Sequence, residues 1–295
     1  MSLTPHKDKL VAAIINPKAS VDNDLLKEAL KQYEIWIDSL SKLTSKGKKR
    51  IEEMTKSLNE YKDYLEVDLI ARRGSPFLKR QKGQLKLDNS IMEEFLIHLV
   101  NDDILDGLPK DIETGSQTAF MSFSFRPSKI ESLIKKPEIV LKQKDQDFTL
   151  GKSIYYQFSP DENFDKNITT NGKLFLSVLA TEIKVNYDKT MFQECAGTAS
   201  RLKKGCPQSK YYALVEYLDM QPEDVRLTDI DNVYLLRKTK RLPFEKRGIF
   251  EEVRDQHKDF PIAVDVMQNY VAEIQSFISA TWYDPNEAMT RGSFS

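Results

Sequence analysis

Cysteine, histidine and long apolar runs are all scarce in this chain, and each shortage closes off a class of function. Only Cys195 and Cys206 occur in 295 residues, at a spacing that fits no zinc motif, so a reducing, cytoplasmic setting is expected. His6, His98 and His257 are isolated from one another. His98 falls within an apolar helical pattern, where a satisfied core residue is expected rather than a ligand. No apolar run approaches the roughly 20 residues of a membrane span, and the N-terminus lacks the apolar core of a signal peptide, so a soluble protein is expected. There is no Gly-x-Ser-x-Gly elbow for acyl transfer. Gly151-Lys152-Ser153 ends like a phosphate-binding loop, but Gln146 stands where the first glycine of that motif belongs, so the segment reads as strand. Charge of either sign is not in excess: 44 basic against 45 acidic residues leave a net charge of -1. That balance neither supports nor excludes nucleic acid, and a binding surface would have to come from local clustering.

What is present divides the chain in two. Residues 1–114 are expected to be mostly helical. Leu25, Leu26, Ala29, Leu30, Tyr33, Trp36, Ile37 and Leu40 recur at helical spacing, capped by Asp22 or Ser20, and a second helix is expected from about Lys48 to Ala71. Ser90 and Glu93 have the spacing of a capping box ahead of Phe95, Leu96, Leu99 and Val100. From about Gly115 the composition turns to β-formers, and residues 115–295 are expected to form an α/β (α+β) unit, a mixed sheet flanked by helices. Glu138 to Lys142 reads as a first strand. Thr190 and Gln193 form a second capping box, opening a helix that ends near Lys204. Tyr211 to Leu218 and Val233 to Leu236 read as strands, Pro261 to Ser279 as a helix, and Gly292 to Ser295 as a polar tail.

The stretch from Asp147 to Glu194 carries the chemistry. Phe148, Leu150, Ile154, Tyr156 and Phe158 alternate with polar neighbours at the period of a half-buried strand. Leu174 to Asn186 reads as the strand that returns. On it Glu182 and Lys184 are two apart and leave the same face. The other acidic-x-lysine triplet, Glu60-Tyr61-Lys62, falls in a predicted helix, where residues two apart do not face each other. A carboxylate pair with a lysine suits phosphodiester hydrolysis: Mg²⁺ binds through one or two carboxylates plus phosphate and water, and a lysine offsets charge that develops in the transition state. A hairpin turning near Asp165 would set Asp147 opposite position 183, beside the pair, whereas Asp161 would lie on the order of 40 Å from Glu182 at strand rise. Asp147 is therefore the expected second carboxylate, with Asp145 and Asp161 in reserve. Gln193 or Glu194 could join the metal shell from the following helix.

The segment Thr181-Glu182-Ile183-Lys184-Val185-Asn186-Tyr187-Asp188-Lys189-Thr190-Met191-Phe192-Gln193-Glu194, followed by Tyr211 to Met220, resembles restriction endonucleases of the PD-(D/E)XK superfamily. More narrowly, it is similar to the Bpu-type and BbvCI-like heterodimeric enzymes that cut asymmetric CCTNAGC-like sites. The resemblance covers mainly residues 138–240. It implies that Asp147 and Glu182 are metal ligands, that Lys184 positions the attacking water, and that a second, related nuclease subunit completes the enzyme, each subunit nicking one strand. Gln146 departs from the proline that the motif places before its aspartate.

Arg72, Arg73, Lys79, Arg80 and Lys82, and the basic runs Arg201 to Lys204 and Arg237 to Arg241, are candidates for phosphate contact with double-stranded DNA. The expected function is thus a Mg²⁺-dependent, sequence-specific DNA endonuclease subunit. The alternative is a DNA-binding or scaffold subunit whose nuclease-like domain is inactive.

Overall fold

The computed structural model describes residues 3–280 and 284–292. The expected polar tail, apart from Gly292, lies outside them. The N-terminal part is helical as expected: α1 (Pro5–Ile15), α2 (Asn23–Ser41), α3 (Gly47–Lys62), α4 (Pro76–Gln81) and α5 (Asn89–Leu99). The long second helix keeps its α form only to Lys62, and Asp63–Arg73 continue in wider π-type turns.

Five strands then form one mixed sheet in the order β1-β2-β3-β4-β5. They are β1 (Glu113–Phe125), β2 (Ile139–Phe158), β3 (Thr170–Tyr187), β4 (Lys210–Leu218) and β5 (Asn232–Leu235). β1, β2 and β3 pair antiparallel, and β3, β4 and β5 pair parallel. Parallel neighbours need a crossover, which α6 (Lys189–Gly205) provides between β3 and β4. Helices α7 (Phe250–Asp259), α8 (Val264–Ser279) and α9 (Pro285–Arg291) close the chain.

Several expectations are corrected. Strand β1 is not among the strands expected from sequence, although Met121-Ser122-Phe123-Ser124-Phe125 alternate at the period of a strand, and the short strand expected at Glu138 to Lys142 is the opening of the 20-residue β2. Neither capping box is used as such. Asp188 caps α6, its carboxylate accepting from the Met191 amide, and Asp88 caps α5, accepting from the Asn89 amide.

The sheet is covered on both faces, and strand alternation decides which residue meets which layer. Leu179 and Ile183 of β3, with Tyr212 and Leu214 of β4, join the N-terminal helices and α8 in one large apolar core that includes Leu26, Trp36, Leu58, Phe95 and Tyr270. Ala180 of β3, with Tyr211, Ala213 and Val215 of β4, packs against Phe192, Cys195, Ala199 and Leu202 of α6. Glu182 and Lys184 share the parity of Ala180, and so face the α6 side.

The first of these layers also encloses charge. Lys62 Nζ, fully buried, lies 2.6 Å from Glu66 Oε1 and 2.7 Å from Glu216 Oε1, and Arg237 Nε donates to the other oxygen of Glu216 at 3.1 Å. Arg237, placed by sequence among the phosphate contacts, is only 1% exposed and instead neutralises this interior carboxylate. Histidines are likewise redistributed. His6 is buried between Ser90 Oγ (2.8 Å) and the Tyr61 hydroxyl (2.7 Å), His257 is buried beside Asp63, and the side chain of His98, expected in the core, is 32% exposed.

Candidate active site

β2 and β3 run together from the hairpin end, where Phe158 faces Thr170, to Phe148 facing Thr181, with a register shift between Leu150 and Gly151. Beyond Phe148 the ladder gives way to a side chain: Asp147 Oδ2 accepts the Ile183 amide proton at 2.8 Å. The carboxylate stands where a strand carbonyl would otherwise be. This register sets Asp147 level with Glu182, one position short of the expected 183; the hairpin is centred one residue earlier than expected, and the bulge at Leu150/Gly151 recovers half of the resulting two-residue offset.

Asp147 is thereby brought beside the pair on β3. Lys184 Nζ lies 2.7 Å from Glu182 Oε1, the two side chains being 23% and 11% exposed. Burial, then the charges of Glu182 and Glu93, push the Asp147 carboxyl from its ordinary 3.8 up to about 7, against the opposing pull of the Ile183 amide and Lys184. For Lys184, burial works against the charged form, but Glu182 and Asp147 more than offset it, so its pKa rises. The ammonium therefore stays protonated near neutral pH and can donate hydrogen bonds; it cannot serve as a base.

Glu93 is the residue that sequence reasoning misses here. The Ser90-to-Glu93 spacing assigned it to a helix cap, yet it is buried on α5 facing the same site, and its carboxyl is raised by burial, despite Lys86 and Lys9, with Glu182 adding to the rise. On the α6 side the Tyr211 hydroxyl reaches Glu182 Oε2 at 3.4 Å. Cys195 is also there, its thiol pushed up to about 11 by burial and then by Glu182, so it is an unreactive packing residue.

The remaining candidates fall elsewhere. Asp145 is exposed and accepts from Thr118 Oγ1 at 2.5 Å, and Asp161 lies in the loop at the hairpin tip, where it accepts from the Asp165 amide. Gln193 and Glu194 are exposed on α6. In the basic loop, Arg73 pairs with Glu28 (2.8 Å), Lys82 reaches Glu66 (3.4 Å), and Arg72 lies over the Phe250 ring at 5.6 Å. Lys79 and Arg80 occupy the last turn of α4, Arg80 being exposed.

Among the described residues no three His, Cys, Asp or Glu side chains form a ready-made metal cage. A cation that keeps most of its water needs no such cage. Three acidic side chains influence one another here, with Lys184 beside Glu182 and Lys86 beside Glu93, and the high carboxyl pKa of Asp147 reflects its burial first and that mutual repulsion second. The donor set thus fits a divalent cation. No helix among the described residues is long and apolar enough to cross a membrane.

Comparison with solved structures finds the same fold in "native BbvCI A2B2 tetramer at low resolution", with a TM-score of 0.57 and 16% identity, over 94% of this chain and 97% of that one. No curated protein matches the sequence. The model of the Bpu10I restriction endonuclease family matches residues 84–294, a span that takes in α5, the whole sheet and α6. The chain belongs to the Bpu10I restriction endonuclease family, and with it to the Type II site-specific deoxyribonucleases.

Proposed function

We propose that this chain is a catalytic subunit of a restriction endonuclease that hydrolyses one strand of double-stranded DNA with Mg²⁺, alongside a second, related subunit that cuts the other. The observation that carries this reading is the meeting of Asp147 with the Glu182–Lys184 pair where β2 and β3 cease to pair. Asp147 and Glu182 would hold the cation, with Glu93, rather than the exposed Glu194, as the third nearby carboxylate. Bound there, Mg²⁺ would supply an activated water and charge neutralisation at phosphorus. The chain's own part is to orient. The Ile183 amide fixes the rotation of the Asp147 carboxylate, and Lys184, kept protonated, donates toward the attacking water and the phosphoryl oxygen. The helical region before the sheet would contribute to DNA binding, with Lys79 and Arg80 as phosphate contacts that have no internal ion-pair partner among the described residues. The A2B2 tetramer of the similar BbvCI structure supports an assembly of more than one subunit.

Supercoiled plasmid incubated with the chain and Mg²⁺ tests this reading. The parent should give nicked circles. Glu182→Ala and Lys184→Ala should each lower the rate by about 100-fold or more while still binding DNA. A parent that yields no product, or variants that cut as fast as the parent, would refute it.

A further inference from the structure

Beside the carboxylates, two cations from different elements converge on a single hydroxyl. Lys144 of β2 donates from Nζ to Thr198 Oγ1 at 2.7 Å, and Arg201 of α6 approaches the same oxygen from a terminal nitrogen at 3.4 Å. Thr198 is fully buried, and its own proton goes to the Glu194 carbonyl at 2.8 Å. Its hydroxyl oxygen can therefore only accept, and it holds both cations without neutralising either.

Neither cation forms an ion pair among the described residues, although their neighbours do. Lys184 pairs with Glu182, and Lys203 and Lys210 both pair with Asp231. Of the basic run Arg201 to Lys204, only Lys203 is paired among the described residues, and Arg201, which is exposed, is the member that reaches Thr198. Lys144 is half-buried and reaches the same hydroxyl from the sheet.

The location ties this pair to the cleavage centre. The Thr198 hydroxyl lies against that of Tyr211, which in turn reaches Glu182 at 3.4 Å. Lys144 precedes Asp147 by three residues along β2, about 10 Å at strand rise. Two cations without a direct ion-pair partner among the described residues have as their complement a compact anion with several acceptor oxygens. A guanidinium fork and an ammonium together match a phosphate group.

We propose that Lys144 and Arg201, positioned by Thr198, bind a backbone phosphate of duplex DNA a few nucleotides from the scissile bond. This rests on the nuclease reading of the adjacent carboxylates. It predicts a contact that positions the strand and takes no part in bond breaking.

The test is the salt dependence of binding to a fluorescein-labelled duplex, with Ca²⁺ in place of Mg²⁺, for the parent, Arg201→Gln and the Lys144→Gln/Arg201→Gln double variant. Losing one phosphate contact should reduce the slope of log affinity against log salt by about one and weaken binding roughly tenfold. The plasmid-cutting KM should rise with kcat unchanged. The charge-keeping Lys144→Arg variant should retain the parent slope, which a merely structural role for Lys144 would not require. Arg201 is exposed, so its single variant folds whatever the double variant does, and a slope equal to the parent's in that protein overturns the proposal. If the parent cuts plasmid while these slopes stay equal, this inference alone fails; if the parent cuts nothing, the nuclease reading fails and the slopes still decide the phosphate site.

Discussion

Replacing Asp147 with Asn should make the metal-free protein more stable above neutral pH. The carboxyl is raised from 3.8 to about 7 by burial and by Glu182 and Glu93, so between those values the folded chain holds a proton that the unfolded chain has released. Stability must then fall as pH rises through this window, and the full penalty is present above pH 7. Three pKa units correspond to about 4 kcal/mol at 1.36 kcal/mol each. Asp147 keeps some contact with water, and screening there brings the expectation to roughly 2 kcal/mol. Asn keeps an oxygen for the Ile183 amide, so the strand junction survives the change. Urea denaturation in EDTA from pH 4 to 9 should show the variant about 2 kcal/mol more stable at pH 8, with the gap closing toward pH 4. A gap independent of pH, or a variant weaker than the parent at pH 8, would refute the claim that burial and repulsion disfavour the charged form of this carboxyl. Saturating Mg²⁺ should stabilise the parent more than the variant, which has lost one of the carboxylates that would hold the cation.

Three further changes probe the scaffold. Lys62→Met leaves Glu66 and part of Glu216 buried without their shared cation and should cost about 3–5 kcal/mol, read as a fall of roughly 6 °C or more in melting temperature; an unchanged melting temperature would contradict it. Gly151→Ala places a Cβ against the Leu176 carbonyl and 2.8 Å from the Phe175 ring; it should destabilise by about 1–3 kcal/mol, and a variant as stable as the parent would mean that the bulge relaxes freely. Asp188→Ala removes the carboxylate that accepts the Met191 amide proton and should lower stability by about 1 kcal/mol, whereas the same loss on replacing Thr190 would restore the cap read from sequence.

Much of the end of the sheet that carries Asp147, Glu182 and Lys184 is legible in the sequence alone. Alternation located β2 and β3, and the Glu182–Lys184 spacing needed only the strand pleat to put both side chains on one face. The exact partner of Asp147 is not legible, because neither the hairpin's centre, one residue before Asp165, nor the bulge at Leu150/Gly151 that partly compensates for it leaves a signal in the sequence. Glu93 was hidden for a different reason. Its position three residues after Ser90 has a complete local explanation as a cap, and only tertiary packing brings α5 over a strand 89 residues later. Arg237 shows the converse failure: a run of basic residues looks alike whether it faces solvent or, as here, sends one member into the interior to meet Glu216.

The shared core between the N-terminal helices and the sheet has a bearing on how duplex DNA can be held. Prising the helices from the strands would wet Phe95, Leu96, Phe148 and Ile183 together, at about 1.5–3 kcal/mol for each large side chain. A jaw motion inside one chain would therefore be opposed by its own folding energy. Encircling a double helix is energetically cheaper when rigid protomers gather around it than when a single polypeptide bends.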